Sequence, residues 1–207
     1  MFELWLVRHG ISNGNIEGWV TGDTEVPLTE EGKYQAKTLG KWLTNSWGFE
    51  PDIFVTSTMV RAIQTAELLG INGSPVRYAD LNETDAGDVS FWKRERFDAE
   101  HPDFWEPFDA VRPFPGGESH MDLYDRVTRC MRKIASESHH GSKVLLVSHG
   151  GTISSIFHHA YNVPMSYFSK FVVDNGSLSI LKYTDFDTPP ELIAYNEMPP
   201  ENDEDNL

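Results

Sequence analysis

The chain carries a single cysteine in 207 residues, so no internal disulfide framework can staple it, which fits a reducing compartment. No apolar run approaches the roughly 18–20 residues that cross a bilayer. The N-terminus has no basic patch, apolar stretch or small-residue cleavage site of a signal peptide. A soluble, cytoplasmic protein is expected. Positive charge is scarce too: 17 Lys and Arg against 32 Asp and Glu give a formal net charge of -15. Such a surface repels nucleic acid and anionic membranes, and neither is expected as a partner. The chain has no G-x-S-x-G elbow, P-loop or dinucleotide fingerprint, no internal repeat and no linker dividing it into domains. Its adjacent histidine pairs, His139-His140 and His158-His159, point their side chains apart, so no metal site is expected.

What is present suffices for a core. Apolar residues make up 39% and aromatics 12%, and the length suits one domain, 1–207, with a sizeable insertion. Leu4–Val7 reads as a buried strand, since its apolar residues follow one another without alternation. Residues 12–28 read as a loop, and Thr29 caps a helix reaching about Asn45. Asp52–Thr56 is a second strand, Ser57 a candidate cap for a helix over Met59–Leu69, and Pro75–Leu81 a third strand. Residues 84–117 lack periodicity and hold seven aromatics; they read as an inserted cap with a short helix near Trp92–Glu100 and a small core of its own. A helix from Glu118 to about Glu137 places Cys130 on its apolar stripe. Lys143–Ser148 is a strong buried strand, followed by a helix over Thr152–Tyr161 and two late strands, Ser177–Tyr183 and Glu191–Tyr195. The end, 196–207, reads as a disordered acidic tail: its last eleven residues carry five carboxylates and no Lys or Arg. Strands alternating with helices imply a three-layer α/β/α sandwich around a mostly parallel sheet.

In such sheets ligands bind beyond the carboxyl ends of the strands. Arg8-His9-Gly10 ends the first strand, Ser57 and Arg61 follow the second, Glu83 follows the third, and His149-Gly150 ends the Lys143–Ser148 strand. Taken singly these residues have ordinary readings: a structural histidine, a surface salt-bridge partner, a solvated loop acid. Their joint placement on one rim is what points to chemistry. Two arginines match phosphate oxygens, and the helix start after His149-Gly150 offers backbone N–H groups to an anion. A neutral imidazole can attack phosphorus, and Glu83 can protonate the leaving oxygen and then activate water. His120 is the one other histidine with a chance of reaching this pocket.

The same residues resemble the RHG signature of the histidine phosphatase superfamily, whose fold is phosphoglycerate mutase-like. The likeness runs from Leu6-Val7-Arg8-His9-Gly10-Ile11-Ser12 and Asn15 through Thr21-Gly22, PLTEEG with Gln35-Ala36, and Ser57-x-x-x-Arg61-Ala62-x-x-Thr65-Ala66. It continues through Leu81-Asn82-Glu83, Pro115-Gly116-Gly117-Glu118-Ser119 and Ser148-His149-Gly150. The resemblance implies that His9 is the phosphorylated nucleophile and Glu83 the proton donor. It implies that Arg8, Arg61 and His149 hold the phosphoryl group with Asn15 and the Gly150 amide, and that no metal or organic cofactor is needed. In related mutases the residues matching Thr21 and Gly22 sit near a substrate carboxylate. Those mutases also carry a longer cap with an adjacent arginine pair, whereas 84–117 offers only Lys93, Arg94, Arg96 and Arg112. Many related phosphatases have Gly-Asp-Trp-Glu-Gly where this chain reads Gly87-Asp88-Val89-Ser90-Phe91. The expectation is a phosphomonoesterase for a small phosphorylated metabolite; the alternatives are a phosphoglycerate mutase-type transferase and a non-catalytic phospho-ligand module. Monomer or homodimer is left open.

Overall fold

The computed structural model describes residues 1–20 and 23–200. Strand β1 (Phe2–Arg8) leads to a short helix α1 (Asn13–Glu17), the long α2 (Glu30–Trp47), β2 (Ile53–Ser57), α3 (Val60–Leu68) and β3 (Val76–Tyr78). Helix α4 (Arg94–Glu100) is followed by α5 (His120–Glu137), β4 (Ser142–Ser148), α6 (Gly150–Ala160), β5 (Leu178–Tyr183) and β6 (Glu191–Glu197). The strands form one sheet in the order β3-β2-β4-β1-β5-β6. Strands β3, β2, β4 and β1 pair in parallel; β5 runs antiparallel to β1, and β6 to β5.

Side chains alternate across the central strands and so divide the core into two layers. Leu4, Leu6, Val144 and Leu146 pack with Leu123 and Val127 of α5 and Ile153 and Phe157 of α6. Trp5, Val7, Leu145 and Val147 pack with Leu39 and Leu43 of α2 and Ala62 and Ala66 of α3. Covered on both faces, β1 and β4 read as unbroken apolar runs. Their register runs from Phe2 opposite Ser142 to Arg8 opposite Ser148, so His9 and His149 leave the sheet side by side. A third cluster joins Val20 to Ala86, Val89, Phe97, Phe104 and Phe114, the small core foreseen for 84–117.

Several local expectations are corrected. The 12–28 loop contains α1, started by a capping box in which Ser12 and Asn15 exchange hydrogen bonds and ended by Gly18 in the left-handed conformation. Five residues are too few to show helical periodicity in a sequence. The third strand is only Val76–Tyr78, because Ala79–Leu81 already turns in a 3-10 helix. Ser57 is not the N-cap of α3; Met59 is, without a side-chain bond. Helix α5 starts at His120 behind a Ser119–Asp122 capping box rather than at Glu118. Strand β6 takes in Asn196 and Glu197 of the expected tail, and 201–207 lie outside the described residues. Among the described residues no helix is long and apolar enough to cross a membrane.

Helices α2 and α3 meet where α2 has no side chain. A Cβ added at Gly40 would lie 1.9 Å from the Leu69 carbonyl oxygen. Alanine gains about 1 kcal/mol over glycine in a helix, but overpacking costs about 1–3 kcal/mol and more against backbone that cannot yield. Gly40→Ala is therefore expected to destabilise the protein by about 2 kcal/mol net, read as a lower denaturant midpoint at unchanged slope. An unchanged or higher midpoint would show that the two helices separate freely.

Candidate active site

The first strand ends in a turn that has to pass close to α2. A Cβ at Gly10 would sit 2.3 Å from the Gly32 carbonyl oxygen, and one at Gly32 would sit 2.0 Å from the Ile11 carbonyl oxygen. The turn is tied to α2 by Gln35 Oε1, which accepts from the Ile11 amide at 2.9 Å, and to α3 by Thr65 Oγ1, which accepts from the Gly10 amide at 3.1 Å. Through these contacts Gly32, Gln35 and Thr65 fix the backbone on which His9 sits.

His9 is buried. Its Nδ1 donates to the Gly10 carbonyl oxygen at 2.7 Å, which can only accept, so the ring proton is assigned to Nδ1 and Nε2 keeps its lone pair. Arg61 Nε donates to that Nε2 at 3.2 Å. Arg61 is itself buried, with Nη1 on the Asp23 carbonyl oxygen at 2.8 Å and Nη2 beside Met59 Sδ. Burial, then the Arg61 and Arg8 guanidinium charges, push the His9 pKa well below its ordinary 6.5. The histidine is thus neutral and oriented, the state a nucleophile needs.

His149 stands next to it, with ring centroids 5.0 Å apart. Ser57 Oγ accepts from the Met59 amide at 3.3 Å and lies 2.7 Å from His149 Nε2. His149 Nδ1 is a buried atom without a partner among the described residues. Burial, then Arg61 and His9, also hold His149 well below 6.5. Arg8 Nη1 donates to the Val173 carbonyl oxygen at 2.5 Å, while its Nε is buried and unpartnered. Burial lowers the pKa of both arginines, opposed most strongly by the charge of Glu83.

Glu83 completes the rim. Its Oε1 accepts from the Thr84 amide at 3.0 Å and its Oε2 from the Gly151 amide at 2.9 Å. Gly151 permits this approach, since a Cβ there would lie 2.3 Å from Oε1. Gly150 opens α6, and the place a Cβ would take on it is 3.4 Å from Arg8 Cζ. Asn15 Oδ1 accepts from the Ser12 amide and hydroxyl at 3.0 and 2.9 Å. The structure thus brings Arg8, His9, Asn15, Arg61, Glu83, His149 and Gly150 to one end of the sheet; Thr21 and Gly22 lie outside the described residues. Among the described residues no group of three or more His, Cys, Asp or Glu could hold a metal ion.

Two residues were not foreseen. Asn175 Nδ2 donates to the His9 carbonyl oxygen at 3.0 Å and to Asn15 Oδ1 at 3.2 Å. It precedes β5, whose antiparallel course brings its start, rather than its end, to this rim. Arg126, on the polar side of α5, donates to the carbonyl oxygens of Asp80, Asn82 and Glu83 at 2.9, 2.8 and 2.9 Å. A cleft of about 360 Å3 extends from Arg8, Glu83 and Gly150 past Arg94, Trp105 and His120.

Residues 4–196 fit the family model of the histidine phosphatase superfamily (branch 1). A 2,3-bisphosphoglycerate-dependent phosphoglycerate mutase of Rhizobium etli is 36% identical over 166 residues, 75% of this chain and 78% of that protein. The adenosylcobalamin/alpha-ribazole phosphatase of Escherichia coli K12 is 33% identical over 187 residues, 86% of this chain and 88% of that protein. Among solved structures, a mycobacterial glucosyl-3-phosphoglycerate phosphatase complexed with VO3 superposes with a TM-score of 0.82 at 25% identity, over 94% of this chain and 98% of that one. The fold is phosphoglycerate mutase-like.

The depressed histidines carry a pH signature. As pH falls below about 6.5 the unfolded chain binds protons that folded His9 and His149 refuse, so their burial removes stability there and none above it. Nitrogen NMR of the imidazoles should show His9 with a protonated Nδ1 and a bare Nε2 from neutral pH down to about 5.5. A protonation midpoint of His9 at or above 6.5 would contradict the neutral assignment.

Proposed function

The chain belongs to the histidine phosphatase superfamily, branch 1, and from that premise we propose that it is a phosphomonoesterase acting on a small phosphorylated metabolite through a phosphohistidine at His9. The carrying observation is the bare Nε2 of a neutral His9 set beside two buried polar atoms that lack partners, Arg8 Nε and His149 Nδ1. A phosphoryl group satisfies Arg8 Nε, draws the imidazole proton of His149 to Nδ1 and presents phosphorus to the lone pair. Arg8, Arg61, His149 Nδ1, the Gly150 amide and Asn15 hold its oxygens, so the site supplies position and charge neutralisation, the main needs of phosphoryl transfer.

In the first step a bond forms from His9 Nε2 to phosphorus as the bond to the ester oxygen breaks, and the Glu83 carboxyl passes its proton to that oxygen. In the second step Glu83, now a carboxylate, takes a proton from a water whose oxygen attacks the phosphohistidine; inorganic phosphate leaves and His9 returns to neutral. Hydrolysis is favoured over transfer by the cap. Of its cations only Arg94 lines the cleft, and Arg94 Nε is already on Asp98 Oδ1 at 2.8 Å. A mutase has to hold a second anionic end, for which this wall offers little. The mutase reading is favoured in turn by relatives such as the Rhizobium etli enzyme.

His9→Ala should lower hydrolysis of p-nitrophenyl phosphate by about 1,000-fold or more. Labelled phosphate from the substrate should be trapped on the parent and located at His9. Parent-like rates in His9→Ala would end the proposal, and a coupled assay with phosphoglycerate giving mutase turnover well above hydrolysis would replace it by the transferase.

A further inference from the structure

The cleft beyond the phosphate-holding rim has an unusual wall residue. His120 opens α5 and is 6% exposed, with the rings of Trp105, Phe108, Phe114 and Phe168 around it at centroid distances of 4.6 to 5.9 Å. Phenylalanine would fill such a cage without burying a polar edge, and a buried polar group normally has a partner. His120 Nδ1 is closed off and has none. Nε2 makes no hydrogen bond to a described residue either but is not closed off, so it is the nitrogen that His120 presents to the cleft it lines. Burial, with a smaller contribution from Arg94 and opposed by Glu83, lowers the His120 pKa to about 4, so the ring is neutral and carries one proton. A stranded N–H is the costlier orphan, which puts the proton on Nε2.

The rest of the wall narrows what that proton can meet. Trp19, Trp105, Phe114 and Phe168 present aromatic surface to the same space. Arg94, the only cation among the described residues there beyond Arg8, lies with its guanidinium 4.2 Å over the Trp105 ring and its Nε on Asp98. That surface suits a flat apolar group better than a second anion.

Resting on the phosphatase reading above, we propose that His120 is a specificity residue. Its Nε2–H donates to an oxygen of the leaving alcohol, and the alcohol's ring lies against the cleft's aromatic wall. Preferred substrates are then phosphomonoesters of ring-bearing alcohols with an acceptor oxygen near the ester, ahead of small acyclic dianions.

Four alkyl esters separate these elements. 2-Phenoxyethyl phosphate has ring and oxygen; 3-phenylpropyl phosphate replaces that oxygen by a methylene; 2-methoxyethyl phosphate lacks the ring; 3-phosphoglycerate supplies a second anion instead. The parent should favour 2-phenoxyethyl over 3-phenylpropyl phosphate by about tenfold in kcat/KM, the worth of one hydrogen bond. His120→Phe should bring that ratio to about one, and His120→Gln, which restores an N–H, should recover part of it. Trp105→Ala should lower the ratio of 2-phenoxyethyl to 2-methoxyethyl phosphate by about tenfold. A parent ratio near one, a ratio that His120→Phe leaves unchanged, or 3-phosphoglycerate preferred over both ring esters would overturn the inference while leaving the phosphatase reading standing. A parent that hydrolyses none of the four would overturn both.

Discussion

The hydrogen bond from His9 Nδ1 to the Gly10 carbonyl oxygen, 2.7 Å long, is the interaction on which the site depends. It spans one peptide, so the ring is oriented by the very turn that ends β1. That turn exists because Gly10 and Gly32 let two backbones approach without side chains, and because Thr65 and Gln35 occupy the amides of Gly10 and Ile11. Asn175 adds a bond to the His9 carbonyl oxygen from the far side. The tautomer of one imidazole is thus written into the packing of α2, α3 and the approach to β5.

Electrostatics then work in two ranges. Close in, Arg8 and Arg61 keep His9 neutral and, among the described residues, leave positive charge without a carboxylate in direct contact: Arg61 rests on the Asp23 carbonyl oxygen, Met59 sulfur and His9, and Arg8 on the Val173 carbonyl oxygen. Buried cations without ion-pair partners are costly unless an anion arrives, which makes the pocket selective for one. Farther out, the net charge of -15 opposes that anion. In the proposed reaction the protein would attract phosphate only at the distance where hydrogen bonds take over, and a leaving group with further negative charge would gain nothing from the surface around it.

Most of this was legible because parallel strands deliver their carboxyl ends to one edge. Arg8, His9, Glu83 and His149 stood out as polar residues where an apolar run stops, and the register of β1 with β4 turned that into adjacency. Asn175 was invisible to the same logic, since it precedes an antiparallel strand and reaches the rim from the opposite direction. Arg126 sits on the polar stripe of an amphipathic helix, where sequence cannot distinguish a solvated arginine from one that gathers three carbonyls. Ser57 looked like a helix cap; its hydroxyl does accept the Met59 amide, yet it also reaches His149, a pairing across 92 residues that local pattern does not encode. Helix α1 was too short for periodicity to mark, and of β3 only the extent was misread, since a 3-10 turn takes over at Ala79.

Arg126 explains how Glu83 can be both fixed and available. In the proposed reaction its carboxyl gives up a proton and takes one back, so strong ion pairing of the carboxylate itself would hinder it. Among the described residues its oxygens accept only from the Thr84 and Gly151 amides. Rigidity comes instead from behind, where Arg126 holds the carbonyls of Asp80, Asn82 and Glu83 and pairs with Glu118 at 2.5 Å. Glu118 in turn accepts from the Asp85 amide at 2.9 Å. The pair's side chains are only 15% and 18% exposed, and partly buried ion pairs gain little net stability from their own attraction. Its value is geometric: the backbone on either side of Glu83 is clamped, so that the carboxyl it carries needs no cation of its own. The helix carrying that clamp also begins with His120, so Glu83 and the aromatic wall of the cleft are held by the same rigid element.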